Sequence, residues 1–208
     1  MYKTTLSLFF LAVASSVVAQ DNAINELDSL LQGVDTLSAD ITQLIIQSDG
    51  GVLEESEILL RVKRPNGFYW ETVSPFPELL VTNGTTLWNY QPDLDQVVIE
   101  DWDPDQSELA AQLLYGRTDS LIDEYYVVAI NSEQSSSFEL KPKSADSLYD
   151  LITINFVNET LDLIYIQNNS GERTAWQFTD SRINIPMVDG LFEFSPPEGI
   201  EIINNSIN

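Results

Sequence analysis

The chain contains no cysteine and no histidine. Without cysteine there are no disulfides, no thiol nucleophile and no thiolate ligand. Without histidine there is no Ser-His-Asp triad, and zinc and copper lose their usual nitrogen ligand. Positive charge is also scarce: nine Lys and Arg stand against thirty-three Asp and Glu, a formal net charge of −24. A surface of that sign repels nucleic acid and anionic head groups and favours solubility. No glycine-rich loop ending in lysine is present to cradle a nucleotide phosphate. These absences exclude Ser-His-Asp hydrolases, thiol enzymes and most metalloenzymes, and no cofactor, metal or nucleic acid is expected as a partner; a carboxylate-based enzyme stays open at this point. Asp101, Asp103, Asp105 and Glu108 form an oxygen-rich cluster. It lacks the glycine and distal glutamate of a calcium loop, so a solvated loop is expected there.

What is present begins with an export signal. Lys3 precedes the apolar stretch LSLFFLAVASSVVA at 6–19, too short to span a bilayer, and Val17 and Ala19 are the small residues of a cleavage site. A cleaved signal peptide is expected at 1–19 and a single domain at 20–208. No later run is long and apolar enough for a transmembrane helix.

The mature chain opens with Ile24, Leu27, Leu30, Leu31 and Val34 at helical spacing. From Leu37 the period becomes two. Apolar alternation separated by the turn signals at 48–51, 65–67, 83–84 and 92–95 predicts six antiparallel strands in a meander. Residues 105–116 return to helical spacing, with Leu109, Leu113 and Leu114 and a terminal Gly116, and a second helical patch is expected at 119–123. Strand patterns resume at YYVVAI, SFELKP, DLITINFV, TLDLIYIQ, TAWQFTD and a last LFEFSPPEGIEII. The order predicts an α+β domain whose curved antiparallel sheet forms an open barrel.

The hairpin KRPNGFYW at 63–70 is unusual. Ile58, Leu60, Val62 and Arg64 share one strand face, which is apolar until the guanidinium. A buried guanidinium needs acceptors, and a helix end with its free carbonyls supplies them as well as a carboxylate does. The alternative is that Arg64 lays its stem on apolar surface and keeps its head in water. Phe68 and Trp70 share a face after the turn, as do Trp88 and Tyr90 in the next hairpin. Such aromatics fill a core or line a lipid cavity, and periodicity is compatible with both.

Taken together, these segments resemble the periplasmic outer-membrane lipoprotein carrier proteins, the LolA family. SADITQ at 38–43 is similar to the family's first strand, KRPNGFYWE at 63–71 to its K-x-P-x-x-F-x-W hairpin, and ELLVTNGTTLWNYQPDLDQV at 78–97 to its central block. LFEFSPPEGIEII at 191–203 is similar to its closing segment. The resemblance implies an incomplete antiparallel β-barrel with a helical lid over an apolar cavity. It implies a periplasmic chaperone of a Gram-negative bacterium that receives lipoproteins from an inner-membrane ABC-type releasing complex. An outer-membrane lipoprotein receptor then takes them over. It implies that Arg64 locks the lid by bonding to its backbone. Phe68, Trp70, Leu80, Trp88, Tyr90, Leu113 and Leu114 are the lipid-binding residues expected. A lipid- or glycolipid-binding relative of the same fold is the alternative. The chain departs from better-known members in its acidity and in lacking a proline in the segment ELAAQLLYG.

Overall fold

The computed structural model describes residues 12–103, 109–116 and 123–206. The expected helical patch at 119–123 lies outside the described residues except for Asp123, as do the loop at 105–108 and the first eleven residues. Among the described residues, two α-helices and twelve strands make one sheet-dominated unit. The helices are α1 (Ala12–Gln32) and α2 (Leu109–Leu114). The strands are β1 (Thr36–Ile46), β2 (Val52–Lys63), β3 (Gly67–Ser74), β4 (Glu78–Thr82), β5 (Thr86–Gln91) and β6 (Gln96–Asp101) in the first half. The second half contributes β7 (Tyr125–Asn131), β8 (Ser135–Pro142), β9 (Tyr149–Val157), β10 (Thr160–Asn168), β11 (Arg173–Ile183) and β12 (Glu201–Asn204).

Strands β1–β6 form one meander and β7–β11 a second, as the spacing of the turns predicts. The two meanders are joined side by side through β1 and β11, whose long antiparallel register runs from Leu37–Ile183 to Ile46–Arg173. The resulting order is β12-β6-β5-β4-β3-β2-β1-β11-β10-β9-β8-β7. Its two ends, β12 and β7, are not paired with each other, so the sheet stays open. The expected last strand over 191–203 is corrected. Asp189–Phe192 is a 3-10 turn and only Glu201–Asn204 is strand, running parallel to β6. Pro196 and Pro197 lack the N–H that a ladder needs.

Register carries a single apolar face across the sheet. Leu37, Ala39 and Ile41 pair with Val62, Leu60 and Ile58, and these in turn meet Phe68, Trp70 and Thr72. On the other side Ile164 pairs with Trp176 and Ile154, and Leu140 with Ile152. Helix α1 lies on this concave face with Ala23, Ile24, Leu27 and Leu31 buried in the common core. It starts earlier than the periodicity from Ile24 predicts and continues through the expected cleavage point after Ala19.

The opposite, convex face is covered over β2–β6 by the segment before β12. The Lys63 ammonium contacts the Asp189 carboxylate and donates to the Met187 carbonyl at 3.0 Å. Phe192 lies where a Cβ on Gly67 would stand, 2.8 Å from ring carbons, so only glycine fits beneath it. Phe194 packs on Tyr90 with ring centroids 5.2 Å apart.

Candidate functional site

Arg64 follows the last residue of β2, and the alternation of that strand aims it at the concave side. Its Nη1 donates to the carbonyl oxygen of Leu31, at the end of α1, at 2.5 Å. Nη2 and Nε both donate to the carbonyl oxygen of Leu114, the last residue of α2, at 2.9 and 3.3 Å. One guanidinium therefore serves the C-terminal ends of two helices, where free carbonyls and the negative end of each dipole gather. Arg64 is not the water-exposed snorkel that strand pattern also permitted. Burial lowers the affinity of its guanidinium for the proton, and the Asp35 carboxylate opposes that effect. A second bond joins the helices directly: Gln32 Nε2 donates to the carbonyl oxygen of Gly116 at 2.7 Å.

Gly116 is required here twice over. Its φ is +72°, a conformation open to glycine, and a Cβ would stand 2.5 Å from Nη1 of Arg64. The guanidinium fills the space a side chain would occupy.

Beyond α1 the concave face is not filled. A cavity of about 1210 Å³, partly open to solvent, continues along the same face. That exceeds the usual pocket for a drug-sized molecule. Phe68, Trp70, Leu80, Leu87, Ile166 and Trp176 supply its apolar wall. Phe68 and Trp70 stack with centroids 6.2 Å apart. Trp176 is anchored through Nε1, which donates to Gln43 Oε1 at 2.7 Å. The lining includes Glu54, Glu78, Glu100 and Glu172, and no Lys or Arg among the described residues.

The eight residues singled out from sequence fall into four places. Arg64 holds the helix ends, and Phe68, Trp70 and Leu80 line the cavity. Leu113 and Leu114 are buried in the core cluster rather than in the cavity wall. Trp88 and Tyr90 lie on the convex face, a correction to the expected grouping. The register sets Trp88 opposite Val81 and Ile99, and Tyr90 opposite Leu79 and Val97, whereas Trp70 faces Leu80. Alternation within β5 pairs those two aromatics with each other, but cannot say which side of the sheet they take. Sequence reading missed Tyr115, Trp102 and Trp176. Trp176 was legible in the alternation of β11; Trp102 and Tyr115 lie outside regular elements.

The family model of the outer membrane lipoprotein carrier protein LolA matches residues 32–195. The outer-membrane lipoprotein carrier protein of Hahella chejuensis is 33% identical over 93% of this chain and 93% of its own. That of Chromohalobacter salexigens is 33% identical over 93% of this chain and 92% of its own. Among solved structures, an uncharacterized conserved protein from Thermus thermophilus superposes with a TM-score of 0.58 at 10% identity, covering 87% of this chain and 98% of that one. That likeness shows the fold alone. The family match spans the hairpin that bears Arg64, the two carrier sequences align over nearly their whole length, and the chain belongs to the LolA family of outer membrane lipoprotein carrier proteins.

Proposed function

We propose that this protein carries lipoproteins through the periplasm, shielding their acyl chains in the concave cavity beneath a lid made of α1 and α2. The observation that carries the reading is the adjacency of an unfilled apolar cavity and helix ends tied down by a single arginine. LolA-family carriers are periplasmic proteins of Gram-negative bacteria, which fits cleavage after Ala19 and a single carrier domain at 20–208. An inner-membrane ABC-type complex would load the cargo and an outer-membrane receptor lipoprotein would take it over.

The energetics require a cost against binding. At about 0.8 kcal/mol per methylene, three fully desolvated acyl chains would release on the order of 30 kcal/mol. Non-covalent affinity saturates near roughly 20 kcal/mol. A carrier that must let go therefore buries only part of the lipid, or opposes its binding. Breaking the bonds of Arg64 to Leu31 and Leu114 is such an opposition. Transfer between apolar surroundings needs no bond making, so the site calls for no acid, base or nucleophile.

Mass spectrometry of ligand extracted from the purified periplasmic protein tests the reading. A lipid attached to a peptide is expected. A free glycolipid in its place would assign the cavity to a lipid- or glycolipid-binding role on the same fold.

A further inference from the structure

The helix ends and the cavity meet at one residue. Tyr115 follows Leu114, whose carbonyl oxygen accepts from Arg64, and precedes Gly116, against which the guanidinium lies. Its ring stacks on Phe68 with centroids 5.6 Å apart and an interplanar angle of 28°. The same ring tilts against Trp102 at 5.9 Å. Both Phe68 and Trp102 line the cavity, while Tyr115 itself stands behind them. Its hydroxyl is buried without a hydrogen-bond partner among the described residues. The ring, rather than the hydroxyl, is therefore what packs at this position.

We infer that Tyr115 couples filling of the cavity to release of Arg64 from the helix ends. A hydrocarbon chain entering the cavity competes for the same ring surfaces of Phe68 and Trp102 that hold Tyr115. When the chain takes them, the Tyr115 ring leaves. The adjoining peptide of Leu114 moves with it, and the carbonyl oxygen is drawn off the guanidinium. Loss of that bond frees α2 from Arg64 first; α1 stays held to the sheet through Leu31, and the Gln32 bridge to Gly116 is then the remaining tie between the two helices. Tyr115 is thus a positioning residue, acting on the cargo site through its neighbours. The inference rests on the lipoprotein-carrier reading and adds the element by which cargo is sensed.

The absence of cysteine makes the test direct, because introduced cysteines label uniquely. Spin labels at Ser29→Cys on α1 and Gln112→Cys on α2 report the separation of the helices in the mature chain. A synthetic diacylated lipopeptide is the probe, with its affinity read by displacement of a fluorescent fatty-acid analogue. In the otherwise unsubstituted protein the lipopeptide lengthens the label separation. In Tyr115→Leu that change is lost, and lipopeptide binds about fivefold or more tightly, because filling no longer has to open the helices. Tyr115→Phe behaves as the parent, since the hydroxyl has no partner among the described residues to lose.

If Tyr115→Leu binds lipopeptide and shows the parental lengthening, the inference is overturned. Binding to the parent with no lengthening overturns it too, while leaving the carrier reading intact. Failure of lipopeptide to bind the parent removes the carrier reading and this inference with it. Should Tyr115→Leu not fold, Trp102→Leu removes the contact from the cavity side. It must also suppress the lengthening, and a full parental change there counts against the coupling.

Discussion

The Arg64 guanidinium lies against Gly116 in the space that any side chain at position 116 would need. A Cβ on Gly116 would stand 2.5 Å from Nη1 and 2.6 Å from Cζ of the guanidinium, at a backbone φ of +72°. Alanine at 116 therefore strains the turn and pushes Arg64 away from the two helix ends while leaving its charge in place. The expected cost is about 1–3 kcal/mol, the usual range for a side chain forced into that conformation. Urea unfolding measures the cost. Faster lipopeptide loading than in the parent would show that the wedge acts on the helix ends as well as on overall stability.

Removing the guanidinium itself acts more strongly. Arg64 makes its bonds to two carbonyls as a charged donor, and Arg64→Leu weakens the closed arrangement by on the order of 3 kcal/mol. That shifts a two-state equilibrium roughly a hundredfold. Cargo loads more readily and is passed on less readily, which separate assays of uptake and onward transfer resolve. Gln32→Leu removes the neutral bond to Gly116, along with a long exposed one to Asp28 within α1, and shifts the balance by only about 1 kcal/mol in the same direction.

The two faces of the sheet predict opposite outcomes for similar residues. Trp70→Asp places a carboxylate on the cavity wall and reduces lipopeptide affinity by roughly a hundredfold or more. Trp88, on the convex face, lies away from the cavity, and Trp88→Leu leaves affinity unchanged while lowering the urea midpoint. Dye displacement by a single lipopeptide compares both variants.

The cavity lining sets a preference among amphiphiles. It carries Glu54, Glu78, Glu100 and Glu172, with no cation among the described lining residues. Dodecyl sulfate is therefore expected to displace a bound neutral dye less effectively than dodecyl maltoside, with the gap narrowing as salt is added. Equal displacement at low salt would show that the carboxylates are too far from the bound head group to matter.

Two tyrosines give stability an alkaline limit. Burial and the Tyr69 hydrogen bond to Glu71, reinforced by that carboxylate's charge against a smaller opposing effect of Arg61, raise the Tyr69 phenol to about 12. Burial, with the charge of Glu124 and the neighbouring Tyr149, raises Tyr125 to about 12. The folded state thus holds these protons more tightly than the unfolded chain does. Their contribution is complete below the ordinary phenol value of about 10 and is lost as pH climbs through about 12. Urea midpoints should be level up to about pH 9 and fall beyond it.

Much of this structure is written in local pattern. The period-two runs give both meanders, and the alternation in SEILLRVKR puts Ile58, Leu60, Val62 and Arg64 on one side. Those three apolar residues are buried at 2%, 0% and 1% exposure. What the pattern leaves open is non-local. Nothing within β1 or β11 announces that they pair across more than a hundred residues, and that pairing is what brings Trp176 and Ile166 into the wall that Phe68 and Trp70 begin. Trp88 and Tyr90 show the same limit: alternation makes them companions, and only the ladder from β3 through β6 decides which face they take. Tyr115 was invisible because its importance comes from contacts distant in sequence, not from its own neighbours.

The central claim, that acyl chains enter the concave cavity by breaking the Arg64 ties, is tested most directly by a structure of the protein bound to a triacylated lipopeptide. The predicted result is hydrocarbon against Phe68, Trp70 and Leu80, with Arg64 no longer bonded to Leu114. Lipid bound on the convex face beside Trp88, or a filled cavity with Arg64 still joined to both Leu31 and Leu114, would contradict it.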